Sequence, residues 1–107
     1  MPRRPDADPV LARFRRDIER AYGPRLERAI LYGSRARGDA RDDSDYDIAV
    51  FLHDVADPAE ERDRLADIGT DILYAVGKLV HARPYRAGAY RDRTPLMHEI
   101  RADGIDI

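Results

Sequence analysis

Leu31-Tyr32-Gly33-Ser34-Arg35-Ala36-Arg37-Gly38, followed five residues later by Ser44-Asp45-Tyr46-Asp47-Ile48-Ala49-Val50, is the stretch that decides the fold. The apolar residues Ala29 to Tyr32 predict a buried strand that starts near Glu27 and is broken by Gly33-Ser34. A glycine at such a break lets a second backbone or side chain approach closely. The amides and the serine hydroxyl beyond it then suit a phosphate. Residues 35–44 are polar, with Gly38, Asp39, Asp42 and Asp43 supplying turn chemistry. Asp45 to Leu52 predicts a second strand, polar at its start and apolar at its end.

Period two places Asp45 and Asp47 on one face of that strand, roughly 6.6 Å apart along it. Paired carboxylates of this kind suit one or two hard divalent cations. Such ions neutralise phosphate oxygens and activate an attacking hydroxyl. Gly-Ser alone is a common turn, and Asp-x-Asp alone is usually a solvated pair. Their occurrence on adjoining strands, in this order, points to nucleotidyl transfer.

Outward from this centre the chain alternates helices and strands. Val10, Leu11, Phe14, Ile18 and Tyr22 recur at helical spacing behind Asp8-Pro9, an N-cap followed by a first-turn proline; Gly23-Pro24 stops that helix. Asp57-Pro58 opens a second helix, with Leu65, Ile68, Ile72, Leu73 and Val76 as its expected inner face and Gly77 as its C-terminal stop. Leu79 to Arg83 predicts a third strand closed by Pro84. Thr94-Pro95 opens a last helix with Leu96, Met97 and Ile100 inward and Gly104 at its end, and Ile105-Asp106-Ile107 can add an edge strand. The expected class is α/β, a small mixed sheet flanked by helices. Residues 1–8, with two prolines, are expected to be a flexible lead-in, and residues 9–107 a single domain.

Composition narrows the function classes. The 107 residues carry 19 basic and 21 acidic side chains, a balance that argues against strong direct nucleic-acid binding through a globally basic surface. The absence of cysteine removes disulfides, thiolate zinc sites and cysteine nucleophiles together. No apolar run approaches the ~20 residues of a membrane span, and no hydrophobic region follows the basic N-terminus as a signal peptide requires. A cytoplasmic protein with no membrane association is expected. A chain this small is short of room for a large cleft, which makes homo- or hetero-oligomers plausible.

Gly33-Ser34, ten residues, then Asp45-Tyr46-Asp47 resembles the signature of minimal nucleotidyltransferases of the DNA polymerase β-like superfamily. The wider match, residues 31–38 with 44–48, looks most like the MNT antitoxins of HEPN–MNT toxin–antitoxin pairs. The resemblance implies a polymerase β-like fold, with Gly33 and Ser34 holding a nucleotide triphosphate and Asp45 and Asp47 as the catalytic carboxylates that hold Mg2+. It implies transfer of AMP from ATP to an acceptor hydroxyl, in the antitoxin branch typically a tyrosine of the HEPN ribonuclease toxin. One departure stands out. The superfamily's third carboxylate is missing from the matching strand, Leu79-Val80-His81-Ala82-Arg83, where His81 is nearest to the expected position. Either two carboxylates suffice, or His81 or an acid of the partner substitutes, or catalysis is lost. Mg2+ prefers oxygen to imidazole.

The alternative to an adenylyltransferase is therefore a decayed module that neutralises a toxin by binding it. A transferase acting on RNA or a small molecule is less consistent with a chain that has no second substrate-holding domain. Arg35 and Arg37 flank the Gly-Ser turn and are either triphosphate ligands or solvated charges. Tyr22, Tyr32 and Tyr74 are expected at core edges; Tyr85 and Tyr90 pack or meet a partner or a base. His53 and His98 are expected to be surface residues.

Overall fold

The computed structural model describes residues 7–107. Its helices are α1 (Pro9–Tyr22), α2 (Ser34–Arg37), α3 (Pro58–Val76) and α4 (Pro95–Asp103). Its strands are β1 (Leu26–Tyr32), β2 (Tyr46–Leu52), β3 (Val80–Arg86) and β4 (Ile105–Asp106), ordered β3-β2-β1-β4 in one mixed sheet. β1 runs antiparallel to β2 and to β4, whereas β2 and β3 are parallel, joined by α3 as the crossover.

Three helices start by one local rule. Asp8 accepts from the Val10 amide at 2.9 Å, Asp57 from Ala59 at 3.0 Å and Thr94 from Met97 at 3.1 Å. Each cap is followed by a proline, whose missing N–H costs nothing in the first turn. The expected lead-in over residues 1–8 lies outside the described residues except for Ala7 and Asp8. Asp8 itself is buried.

Strand alternation sorts the core into two layers. Tyr46, Ile48, Val50 and Leu52 of β2 face α1 and α3, joining Phe14, Ile18, Leu65 and Ile72. Ala49 and Phe51 face the other way, onto Met97 and Ile100 of α4 and Ile30 of β1. Among the described residues no helix is long and apolar enough to cross a membrane.

Four expectations need correction. Residues 34–37 form a short helix rather than an open turn. β3 is not closed by Pro84 but runs through it to Arg86; β3 is an edge strand, and only an edge accepts a residue without an amide proton. The inner face of α3 runs through Glu61, Leu65, Gly69 and Ile72, while Leu73 and Val76 are 39% and 48% exposed. Gly69 sets that face: a Cβ there would lie 2.7 Å from the Val80 carbonyl oxygen, so helix and strand meet backbone to backbone. Glu61 is buried against the Arg25 guanidinium, with Arg64 3.8 Å away. Tyr74 is 85% exposed and not a core-edge residue.

Candidate functional site

The candidate site forms where β1 ends and β2 and β3 begin. In the ladders Tyr32 stands opposite Asp47, and Asp47 opposite His81. Asp47 therefore lies between a β1 tyrosine and a β3 histidine, on the sheet face that α4 covers farther along. Asp45 is exposed and precedes β2 by one residue.

Gly33 follows β1 with φ +76°, a left-handed conformation that glycine adopts without strain. A Cβ built there would stand 2.7 Å from Asp47 Oδ2, so the carboxylate is packed directly against the turn backbone. The Gly33 carbonyl accepts from the Ala36 and Arg37 amides, both at 3.1 Å, which winds Ser34 into the first turn of α2. The four sequence-selected residues Gly33, Ser34, Asp45 and Asp47 thus cluster at one end of the sheet.

Burial pushes the Asp47 carboxyl above its ordinary value. The imidazole of His81, whose Nδ1 is 3.8 Å from Asp47 Oδ1, pulls it back down. Asp45 pushes it up, Arg83 lowers it and Glu99 raises it. Glu99 and Arg83 are site neighbours that the sequence did not reveal. Glu99 reaches Asp47 electrostatically only because α4 packs over the sheet, and no local pattern records that packing. Arg83 is two residues from His81 and so shares its face, which period two could have shown. The Tyr32 hydroxyl is also pushed up, by burial first and then by Tyr85 and Asp47.

Among the described residues no three histidine or acidic side chains are grouped as a metal cage. Two carboxylates nonetheless fit Mg2+, which is commonly held by one or two protein carboxylates together with substrate phosphates and water. The close seat of Asp47 on Gly33 leaves its carboxylate fixed beside the turn where phosphates would lie.

The flanking arginines divide. Arg35 is not poised for a triphosphate: its guanidinium donates to the carbonyls of Arg41, Asp42 and Ser44. Arg37 is exposed and pairs with Asp39 at 3.3 Å and Asp103 at 3.8 Å. Tyr85 and Tyr90 pack on Phe51, with ring centroids 5.6 and 6.0 Å away. His53 and His98 are exposed, as expected. Outside the carboxylate cluster, a groove of about 630 Å³ runs between α3 and the free edge of β3, with His81 on its wall.

Comparison with known proteins bears on the same features. The family model described as polymerase beta, nucleotidyltransferase, matches residues 18–106. A Methanocaldococcus jannaschii protein, named as a candidate protein adenylyltransferase, is 32% identical over 98 residues, covering 92% of this chain and 95% of its own. A solved candidate nucleotidyltransferase from Sulfolobus solfataricus superposes with a TM-score of 0.63 at 20% identity, over 91% of this chain and 75% of that one. A toxin–antitoxin crystal structure with AMP-PNP gives 0.60 at 23% identity, covering 87% and 68%. A complex of tri-AMPylated Shewanella oneidensis HEPN toxin with its MNT antitoxin gives 0.53 at 21% identity, covering 91% and 70%. At these identities the solved structures speak for the fold.

Proposed function

The chain belongs to the polymerase beta nucleotidyltransferase family, and on that premise we propose that it transfers AMP from ATP to a hydroxyl of a partner protein, a tyrosine of a HEPN-type toxin, as an antitoxin. The observation that carries this reading is the seating of Asp47 against Gly33, with Asp45 beside it and Ser34 opening the adjacent turn. The name of the archaeal relative and the AMPylated toxin complex supply the acceptor class.

In the proposed reaction the acceptor oxygen forms a bond to the α-phosphorus of ATP. The bond from that phosphorus to the bridging oxygen of the β-phosphate breaks, and pyrophosphate leaves. Asp45 and Asp47 would hold Mg2+, which when bound neutralises charge on the transferred phosphoryl group. Gly33 admits the carboxylate to the turn, and the Ser34 hydroxyl and amide face the phosphates. The acceptor proton passes to solvent or to His81, whose imidazole stands beside Asp47, nearest to the position where the resemblance implies a third acid.

A second reading, neutralisation of the toxin by binding alone, is favoured by one observation: among the described residues no third acidic or histidine ligand joins the pair. Incubating the chain and its cellular partner with α-labelled ATP and Mg2+ separates the two. Label on the partner, lost with Asp45→Asn/Asp47→Asn, is the expected result. A stable complex that never acquires label would establish the second reading.

A further inference from the structure

Asp45 carries half of the proposed metal site, yet no strand holds it. β2 begins one residue later, and the residues before Asp45 form a loop exposed from Arg41 to Asp43. An unanchored carboxylate on such a loop makes a weak ligand, because ordering it costs conformational entropy each time an ion binds.

Arg35 supplies the anchor nearest to it, beside a turn bond from the Ser44 amide to the Arg41 carbonyl at 3.0 Å and Lys78 Nζ, which donates to the Asp42 carbonyl at 2.6 Å. Its Nε donates to the Ser44 carbonyl at 3.0 Å, and its Nη2 donates to the same carbonyl at 2.8 Å. Nη2 also donates to the carbonyls of Arg41 and Asp42, both at 3.2 Å. The guanidinium carbon lies 4.1 Å from the centroid of the Tyr46 ring. One side chain therefore grips the residue before Asp45 and stacks on the residue after it. Tyr46 is pinned in turn, its hydroxyl donating to buried Asp8 at 2.7 Å and its amide to the Leu79 carbonyl at 2.9 Å.

We infer that Arg35 is a positioning residue for Asp45: by clamping the carbonyls of the 41–44 loop and stacking on Tyr46, it fixes the carboxylate and sets the divalent-ion affinity of the site. The inference rests on the metal-site reading above. Arginine is required because a planar fork serves several carbonyls and stacks on a ring at once, which a lysine ammonium cannot do.

The test is Mn2+ binding by electron paramagnetic resonance, in the presence of an ATP analogue with a methylene α,β-bridge. Wild type, Arg35→Lys, Arg35→Ala and Asp45→Asn/Asp47→Asn are compared. Loss of a residue that orients a metal ligand typically weakens metal affinity by about 10- to 100-fold. Arg35→Ala is expected in that range and Arg35→Lys between it and wild type, with faster amide exchange at residues 41–45. A merely structural role would lower the melting temperature without changing the affinity of the folded fraction. Should Arg35→Ala fail to fold, Arg35→Lys carries the comparison. Mn2+ affinity within about twofold of wild type in the folded variants overturns the inference. So does a fall in metal-free affinity for the analogue with Mn2+ affinity unchanged, which would make Arg35 a phosphate ligand. Wild-type Mn2+ binding unaffected by Asp45→Asn/Asp47→Asn overturns the metal-site reading and this inference together.

Discussion

Gly33 and Asp47 share one space: the position a Cβ would take on Gly33 is 2.7 Å from Asp47 Oδ2. Gly33→Ala therefore meets two penalties, a side chain at φ +76° and a collision with the carboxylate. Holding a non-glycine residue there costs about 1–3 kcal/mol. The variant is expected to lose that much stability in chemical denaturation and to lose nucleotidyl transfer. In an Asp47→Ala background the collision vanishes and only the backbone penalty remains, so the two substitutions are non-additive. Full additivity would mean that the carboxylate is not seated on the turn.

The ionised form of Asp47 is disfavoured in the fold, chiefly by burial. The sign follows from linkage. A carboxyl whose folded pKa lies above its unfolded value holds its proton longer in the native state, so stability is lost as pH rises through the folded value. Wild type and Asp47→Asn should thus have similar melting temperatures below the unfolded value of 3.8. In metal-free buffer Asp47→Asn should become the more stable as pH rises towards neutrality, while transfer is abolished. Added Mg2+ and nucleotide should raise the melting temperature of wild type only. A variant that melts lower than wild type at neutral pH without metal would contradict the burial account.

Asp8 serves two partners, capping α1 through Oδ1 and accepting the Tyr46 hydroxyl through Oδ2. Asp8→Ala removes a helix cap and the carboxylate to which the Tyr46 hydroxyl donates, an expected loss of about 1.5–3 kcal/mol in urea unfolding. Tyr46→Phe removes only the second contact. A double-mutant cycle between them should return a coupling of about 1 kcal/mol; a value near zero would place the Tyr46 anchor elsewhere.

Tyr22 has a buried hydroxyl with no hydrogen-bond partner among the described residues. Its pKa is pushed up to about 12, by burial first and by the neighbouring Glu61 second. Tyr22→Phe keeps the ring that Arg25 and Arg64 approach at 5.6 Å and removes the unpaired group. Stability is expected to be unchanged or higher by up to about 1 kcal/mol. Raised above its unfolded value of 10.0, the phenol makes wild type lose stability as pH climbs from there towards 12, a loss the variant escapes. A clear destabilisation by Tyr22→Phe at neutral pH would reveal a partner for the hydroxyl.

Much of this architecture is written locally. Each long helix begins at a cap-proline pair, and β2 is marked by its run from polar to apolar, so the long helices and central strands follow from pattern, and the proximity of Gly33, Ser34, Asp45 and Asp47 follows from their places at the ends of β1 and β2. What escaped was non-local. The inner face of α3 turns on Gly69, which has no hydrophobicity to signal, and on Glu61, whose burial depends on Arg25 from another element. Pro84 is a stop signal in a central strand but not at an edge, and edge position is a property of the whole sheet. Arg35 beside a Gly-Ser turn invites a phosphate reading; only the folded loop shows carbonyls claiming its donors.

Tyr46 sits between the two acidic residues and points into the opposite layer, packing where Ile48 and Val50 pack. Sliding β2 by one position would turn the aspartates towards α1 and α3 and move the tyrosine to the face that carries His81 and, farther along, α4. Misfolding by a slipped ladder and a non-functional site are then the same event. Selection against either guards against both, and a correctly registered strand is by construction one whose Asp47 faces the Gly33 turn.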